Sequence, residues 1–330
     1  MQNKKIAFFG CKETTRFLIE NLSTEIQISN IITISPQKNT EIKIPDYCDL
    51  KSKFEKSIDV YHVNRYDLKN RVDINKIKSL KIDIAFCIGW QRLIPEEILE
   101  NISIGVFGMH GSSQNLPKGR GRSPMNWSII ENRKFFYTNL FKYNPGVDDG
   151  DILDMVKFSI NNKDNAETMH FKNMLSMKKI ILRRINSLYN GNFKLKKQLP
   201  LTPTYYPKRE PKDSQIDWNL DINSIERFIR AVSKPFNGSF TFIGDKKLVI
   251  YEAQLFDKHQ FKYNKSKIGE VVEVLNDSKF LIKCNGGLLL VNLYSCSVKI
   301  KKNYILKTDY NLIKRFTKNN KGFHDLNKIN

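Results

Sequence analysis

The chain has 330 residues and a formal net charge of +21 at pH 7. Hydrophobic residues make up 40% and aromatic residues 11%, a composition typical of a folded protein and not of a disordered one. The length suffices for two domains, each with its own core. No stretch approaches the roughly 20 apolar residues that a membrane-spanning helix needs, so no membrane partner is expected.

A large positive charge is also typical of proteins that bind nucleic acid, because phosphates favour a basic surface. The excess here is mostly lysine spread along the whole chain, which favours a solvated surface, so nucleic acid is not an expected partner. The cysteines are odd in number and form no C-x-x-C pair, which suits reduced thiols in a cytoplasmic protein and indicates no metal. They are Cys11, Cys48, Cys87, Cys284 and Cys296.

The N-terminal part alternates between strand and helix patterns. We predict strands at 5–9, 26–34, 60–63 and 82–88, with helices at 13–22 and 74–80. This alternation predicts an α/β fold with a doubly wound, mostly parallel, Rossmann-like sheet, whose ligands gather at the carboxyl ends of its strands. The single Gly10 is no G-x-G-x-x-G fingerprint, so no dinucleotide site is expected.

The rest of the chain predicts a second domain of different architecture. A strand at 152–160 and a helix at 166–188 complete an N-terminal domain over 1–193, and a Lys- and Pro-rich linker follows at 194–215. A helix at 222–233 and five short strands predict a small OB-like β-barrel over 216–298, followed by a basic tail at 299–330. The helical spacing in 166–188 predicts core positions at Phe171, Met174, Leu175, Ile180 and Ile181.

Residues 105–151 hold the candidate functional groups. A strand leads into His110, and the loop that follows carries Lys118, Arg120 and Arg122 between glycines, just before a helix. An acidic, glycine-rich turn then presents Asp148. One histidine, several cations and a carboxylate are the groups that a site needs to hold an anionic ligand and to move protons. A solvated basic loop is the alternative interpretation.

Several motifs carry a family resemblance. They are His110-Gly111-Ser112, Leu116-Pro117-Lys118, Arg120-Gly121-Arg122-x-Pro124, the run from Val147 to Ile152, TYYPKREPKDSQIDW and IRAVSKPFNGSF. Together they resemble the formyltransferases that use 10-formyltetrahydrofolate, over about residues 5–295. The Arg-Gly-Arg-x-Pro-x-Asn-Trp run is most similar to enzymes that formylate the amine of nucleotide-linked amino sugars, such as 4-amino-4-deoxyarabinose.

The resemblance implies roles for individual residues. His110 and Asp148 match two members of the catalytic Asn-His-Asp set of the family. The cofactor-binding residues, which hold the pterin of the co-substrate 10-formyltetrahydrofolate, would be Arg92, Leu93, Ile94 and Asn144. Lys118, Arg120 and Arg122 would bind the diphosphate of a UDP- or dTDP-linked amino sugar, and Tyr206 would either stack on the base or pack the hinge. A homodimer is left open.

The sequence departs from the family where the catalytic asparagine is expected, because Gly108 stands there. We predict that the amide of Asn115 takes over as oxyanion donor, with a backbone N–H or a water as alternatives. A glycine at position 108 suggests a positive φ that other residues resist. Two further functions stay open: a methionyl-tRNA formyltransferase, supported by the charge, and a catalytically weakened family member.

Overall fold

The computed structural model describes residues 4–276 and 278–310 and divides into two compact units. The first unit comprises the residues up to Arg120, with Tyr137–Phe158 and Lys172–Pro203. The second comprises Gly121–Phe136, Ser159–Phe171 and the residues from Thr204 on. Positions 311–330 of the predicted basic tail lie outside the described residues.

The helices and strands are named here in chain order. Up to residue 203 they are β1 (Ile6–Phe9), α1 (Glu13–Leu22), β2 (Ile28–Thr33), α2 (Pro36–Ile42), α3 (Leu50–Phe54), β3 (Asp59–His62), α4 (Arg71–Ser79), β4 (Ile84–Cys87), α5 (Glu96–Asn101), β5 (Gly105–Ser112), β6 (Arg120–Gly121), α6 (Pro124–Ile130), β7 (Phe135–Lys142), β8 (Ile152–Ser159) and α7 (Ala166–Tyr189). The later elements are β9 (Tyr205–Tyr206), a 3₁₀ helix (Pro211–Ser214), α8 (Ile222–Val232), β10 (Ser239–Ile243), β11 (Lys246–Asp257), β12 (Val271–Leu275), β13 (Lys279–Cys284), β14 (Gly287–Cys296) and β15 (Leu306–Lys307).

The main sheet of the first unit has the strand order β3-β2-β1-β4-β5-β7-β8. Strands β1 to β5 pair in parallel, and β7 pairs antiparallel with β5. The predicted α/β fold with a mostly parallel, doubly wound sheet is therefore confirmed. Strand β7 is not among the predicted elements; it lies between β5 and the edge strand β8 and introduces the antiparallel pairing.

Helices cover both faces of this sheet. Successive residues of a strand point to opposite faces, so Phe8 packs with α1 and α7, while Phe9 packs with α4 and α5. Helix α1 buries Thr15, Leu18, Ile19 and Leu22, which form one stripe at the helical repeat. Among the described helices, none is long and apolar enough to cross a membrane.

The core prediction for α7 is correct for only part of the helix. Ile180 and Ile181 are fully buried, as predicted, but Phe171 is 50% exposed and Leu175 is 45% exposed. The buried stripe runs instead through Met169, Met177, Ile185 and Leu188. Apolar residues on two stripes leave the phase of the helix ambiguous in the sequence, and packing against the sheet selects one of them.

The second unit contains a curled antiparallel sheet with the order β12-β13-β14-β11-β10-β15. Backbone hydrogen bonds from Val271 N to Tyr304 O and from Leu306 N to Gly269 O, each 2.8 Å, connect the two ends of this sheet. Helix α8 packs Ile225 and Ile229 into the apolar core of the sheet. The predicted C-terminal barrel is confirmed as this curled antiparallel sheet.

A buried carboxylate stabilises the loop between β3 and α4. Asp73 is fully buried and accepts hydrogen bonds from the Tyr61 hydroxyl at 2.7 Å and from the backbone N–H groups of Asn64 and Arg65, each at 2.9 Å. The Asn70 side chain also donates to it. Burial acts to raise the pKa of Asp73, but these hydrogen bonds outweigh burial, so the pKa lies below its ordinary value.

Asp73→Asn should therefore lower the free energy of unfolding by about 2–3 kcal/mol near neutral pH, because a neutral amide cannot accept all of these N–H groups. The stabilisation from the charged group is complete above the unfolded pKa of about 4 and is lost as the pH falls through the lower folded pKa. The difference between wild type and variant should consequently shrink below about pH 4, as measured by urea titration.

The control for this prediction is Glu41→Gln. Glu41 forms an exposed ion pair with Lys38, so its loss should cost less than about 1 kcal/mol near neutral pH. Equal destabilisation by the two substitutions would contradict the special role of Asp73.

Candidate active site

His110 and Asp148 lie together at one end of the main sheet. His110 is buried near the carboxyl end of β5, and Asp148 lies in the turn between β7 and β8. The His110 Nδ1 atom is 3.3 Å from Asp148 Oδ2. The structure thus brings together the histidine and the carboxylate that the sequence nominated, although they are 38 positions apart in the chain.

Both ring nitrogens of His110 face acceptors. Nδ1 faces the Asp148 carboxylate, and Nε2 lies 2.8 Å from the carbonyl oxygen of Gly119. A neutral imidazole carries a single N–H, so only the protonated ring can donate to both partners. A ligand that binds to Nε2 must replace the Gly119 carbonyl, because this nitrogen has a single bonding direction.

The backbone of Asp148 is held in an uncommon conformation. Its φ is +49°, in the left-handed region that few residues other than glycine adopt. The side-chain amide of Gln198 donates to the carbonyl oxygens of Asp148, at 2.8 Å, and Gly150, at 2.9 Å. The Arg120 guanidinium in turn donates to Gln198 Oε1 at 2.7 Å. Gln198 therefore fixes the turn that aims the Asp148 carboxylate.

The turn also depends on a glycine. A Cβ atom at Gly150 would lie only 1.7 Å from the backbone oxygen of Lys142. Because that oxygen belongs to the main chain, no side-chain rotation can relieve the clash. The close approach lets Lys142 N donate to Asp151 O at 2.9 Å, which closes the turn at its base.

The predicted cofactor-binding residues lie in two loops, the one that follows β4 and the one that follows β7. Arg92 and Leu93 are exposed in the loop after β4, whereas Ile94 is buried in the core. The Arg92 guanidinium lies 4.9 Å from the centre of the Tyr66 ring, and the Tyr66 hydroxyl accepts a hydrogen bond from the Gln91 N–H, so Tyr66 supports this loop. Asn144 is exposed in the turn after β7.

The side chains of the basic loop after β5 differ in their exposure to solvent. Arg120 is buried, Lys118 is half-buried, and Asn115 is exposed. The N–H of Lys118 donates to the carbonyl of Asn115 at 3.0 Å, so these residues form a turn. The Arg120 guanidinium donates a hydrogen bond to the side chain of Gln198.

Arg122 and Tyr206 belong to the second unit. The Arg122 side chain is exposed, and its N–H donates to the Tyr206 carbonyl at 2.8 Å. Tyr206 is buried; its ring stacks on Trp127 with centroids 6.1 Å apart, and its hydroxyl donates to Glu131 at 2.8 Å. These contacts pack the segment, which is one of the two roles considered for Tyr206.

The expectation of a positive φ at Gly108 is wrong. Gly108 lies within the extended strand β5 and is absent from the described glycines with positive φ. A different constraint applies: a Cβ at this position would lie 1.8 Å from Cε1 of Tyr143. The side chain of Tyr143 occupies the space beside Gly108, and the sequence pattern did not single out this tyrosine.

Two family models match the chain. One is described as "Formyl transferase" and matches residues 4–185; the other, "Formyl transferase, C-terminal domain", matches residues 208–302. The chain therefore belongs to the formyl transferase family, whose members are enzymes that transfer formyl groups. The family resemblance inferred from the motifs is confirmed.

Individual relatives extend this comparison. The bifunctional polymyxin resistance protein ArnA of Wigglesworthia glossinidia brevipalpis is 28% identical over 267 residues, which are 80% of this chain and 39% of that protein. This chain thus covers less than half the length of that relative.

Solved structures share the fold at lower identity. WlaRD, a sugar 3N-formyl transferase crystallised in the presence of dTDP and 5-N-formyl-THF, has a TM-score of 0.61 and 20% identity, covering 91% of this chain and 100% of that one. The methionyl-tRNA formyltransferase from Clostridium thermocellum has a TM-score of 0.53 and 21% identity, covering 78% of this chain and 95% of that one. Because the fold is common to both, it does not discriminate between a sugar and a tRNA acceptor.

Gln198→Leu should lower formyl-transfer turnover about 10- to 100-fold, because the Asp148 turn loses the amide that fixes it and the carboxylate is no longer held in place. Steady-state kinetics measure the effect, and the KM values should change less than the turnover. The matched control is Gln37→Ala, at an exposed position of α2. Wild-type turnover in the Gln198 variant would show that the turn holds its shape without this side chain.

Proposed function

We propose that this enzyme transfers the formyl group of 10-formyltetrahydrofolate to the primary amine of a nucleotide-linked amino sugar. The observation that carries the proposal is the buried His110, held 3.3 Å from Asp148 at the end of β5 and followed by the Arg-Gly-Arg loop. The pair supplies a proton acceptor with a carboxylate to orient it, and the loop supplies cations for phosphate.

The reaction requires charge stabilisation and one proton transfer. The amine nitrogen of the sugar bonds to the formyl carbon, and the formyl oxygen takes the negative charge. The bond from that carbon to N10 of the folate then breaks. N10 gains a proton and the former amine loses one, so the reaction is balanced. His110 either takes the amine proton or contacts the charged oxygen, and Asp148 orients the imidazole.

The folate is proposed to lie against the loops that follow β4 and β7. Arg92 and Leu93 are exposed in the first loop and Asn144 in the second, so their backbone groups are accessible to the pterin. Ile94 is buried and would hold the shape of the loop instead of contacting the ligand with its side chain. The presence of 5-N-formyl-THF in the WlaRD crystals supports a folate donor.

The acceptor is proposed to be a UDP- or dTDP-linked amino sugar. The dTDP present with WlaRD and the match to ArnA support a sugar acceptor. Lys118 and Arg122 are the cations proposed to meet the diphosphate. Arg120, which is buried against Gln198, is proposed to act mainly through the Asp148 turn. Stacking of Tyr206 on the base of the nucleotide is proposed as a second role, in addition to its packing.

The wider setting is also part of the proposal. The product would be a formamido sugar for a surface polysaccharide, such as the O-antigen of lipopolysaccharide, made in the cytoplasm. The proposed catalytic domain, linker and barrel correspond to residues 1–193, 194–215 and 216–298, and no role is assigned to the basic tail.

The function is tested by incubating the full chain with 10-formyltetrahydrofolate and a panel of UDP- and dTDP-linked amino sugars, with formylated product detected by mass spectrometry. We expect transfer to at least one sugar. Formylation of methionyl-tRNA with no transfer to any sugar would overturn the proposal in favour of the tRNA enzyme. Absence of transfer to either acceptor would indicate a weakened family member.

His110→Ala and Asp148→Asn should each lower turnover at least about 100-fold, the usual scale for the loss of an acid–base group. Folding should be little affected, as circular dichroism and thermal melting can verify, because both residues lie at the end of the sheet. The control is His259→Ala, an exposed histidine of the second unit. Near-normal turnover in either site variant would reject the assigned roles.

Arg122→Ala should raise the KM for the sugar nucleotide about tenfold or more, because a charge-assisted hydrogen bond to phosphate is lost. The KM for the folate should stay within about twofold. Arg71→Ala, at an exposed arginine paired with Glu97, is the control. An unchanged KM for the sugar nucleotide would remove Arg122 from the substrate site.

A further inference from the structure

Gly108 and Tyr143 fit one another at the position where the family resemblance predicts a catalytic asparagine. Gly108 is buried in β5, two residues before His110, so both residues face the same side of the sheet. A Cβ at Gly108 would lie 1.8 Å from Cε1 and 2.5 Å from Cζ of Tyr143. The hydroxyl-bearing end of the tyrosine ring therefore fills the space that the asparagine side chain would need.

The backbone fixes the position of this ring. The N–H of Tyr143 donates to Val106 O at 2.8 Å, which continues the β5–β7 pairing past the end of the strand. The ring also stacks on Phe141, with centroids 5.5 Å apart, and Phe141 pairs directly with Gly108. Tyr143 is thus held by its main chain and by its ring before any ligand binds.

The surroundings of the Tyr143 hydroxyl keep the phenol protonated, so that it remains a hydrogen-bond donor. Burial, with the neighbouring Cys87 thiol and the Asp148 carboxylate, raises the pKa of Tyr143 well above its ordinary range, so the phenol keeps its proton. The Cys87 thiol neighbours the hydroxyl, and burial raises the pKa of this thiol to about 12, so it too keeps its proton. A protonated thiol can donate to the phenol oxygen and leave the phenol O–H to donate onward.

We propose that the Tyr143 hydroxyl donates the hydrogen bond that stabilises the oxyanion of formyl transfer, in place of the amide expected at position 108. The inference rests on the proposed function. When the attacking nitrogen bonds to the formyl carbon, the formyl oxygen becomes negative and accepts the Tyr143 O–H. The tyrosine keeps its proton throughout, and the oxygen becomes a carbonyl again when the bond to N10 breaks.

Two other amides are rivals for this role. Asn139 pairs with His110 across β5 and β7, and neither of its amide atoms has a hydrogen-bond partner among the described residues. It is fully buried, however, and it pairs with His110 and not with Gly108, the position at which the family resemblance expects the amide. Asn115 is exposed on the loop and belongs to the turn closed by its carbonyl and the Lys118 N–H, away from β5. Tyr143 is half-buried, its ring is fixed, and it lies against Gly108, where that amide is expected.

The test is Tyr143→Phe, which keeps the ring and removes only the hydroxyl. We expect turnover to fall about 100-fold or more, with the KM values for folate and acceptor within about threefold, because the lost bond forms only in the transition state. The matched control is Tyr61→Phe, which removes the hydroxyl that donates to Asp73 in the same unit and should leave turnover unchanged.

A second variant separates catalysis from packing. Gly108→Asn alone should lose activity because the new side chain meets the Tyr143 ring. Combining Gly108→Asn with Tyr143→Ala makes room for the amide and should raise turnover at least about tenfold above Tyr143→Ala alone. A structural role of the ring would not produce this recovery, and its absence would count against the oxyanion role.

A second assay keeps this inference separate from the acceptor question. Hydrolysis of 10-formyltetrahydrofolate to formate, with water as the nucleophile, passes through the same type of oxyanion and needs no sugar. If no sugar accepts the formyl group but Tyr143→Phe slows hydrolysis about 100-fold, the acceptor proposal fails and the tyrosine proposal stands.

Wild-type rates for Tyr143→Phe in both assays overturn the tyrosine proposal. A large loss of activity in Asn115→Ala or Asn139→Leu, with Tyr143→Phe unaffected, overturns it as well. A wild-type enzyme inactive in both assays overturns both proposals.

Discussion

Strand β5 pairs in parallel with β4 on one side and antiparallel with β7 on the other. This change of direction sets the geometry of the whole candidate site. Strand β7 runs antiparallel beside β5. Its last residue is followed directly by Tyr143 and then by the turn that holds Asp148. A parallel neighbour would need a long crossover and would place its amino end there, with its carboxyl end beside Ser112 instead. His110, proposed to be catalytic, its carboxylate partner Asp148 and the proposed oxyanion donor are therefore near one another because of one pair of strands.

The position of Asp148 depends on contacts from distant parts of the chain. A positive φ at a residue other than glycine persists only where the surroundings impose it. Here Gln198 binds the Asp148 carbonyl, Arg120 holds Gln198, and Gly150 allows the close approach of Lys142. Arg120 thus links the basic loop to the acidic turn, so that one arginine of the motif orders the carboxylate.

The sequence predicted the strands and helices that have strong local patterns, and it nominated His110 and Asp148 because their motifs are local too. Gln198 was not predictable, since it lies in a stretch whose lysines and prolines indicate a linker and its partners are 48 and 50 positions away. Tyr143 was missed for a related reason: only the pairing of β5 with β7 brings its ring against Gly108. The prediction that Phe171 and Leu175 of α7 are buried was wrong, because periodicity indicates a helix but does not show which face packs against the sheet.

The same pairing explains why Gly108 cannot be understood by itself. An asparagine at 108 would meet the Tyr143 ring, and its own amide would be displaced from the site. A small residue at 143 beside Gly108 would leave a void, which costs packing, and under the proposed mechanism it would also remove the hydrogen-bond donor. Each single change is unfavourable, whereas the two changes together exchange a phenol for an amide. The effects of residues that share one space are not additive. The departure of this chain from the family pattern is therefore a property of the pair of positions, and a weakened site does not follow from the glycine alone.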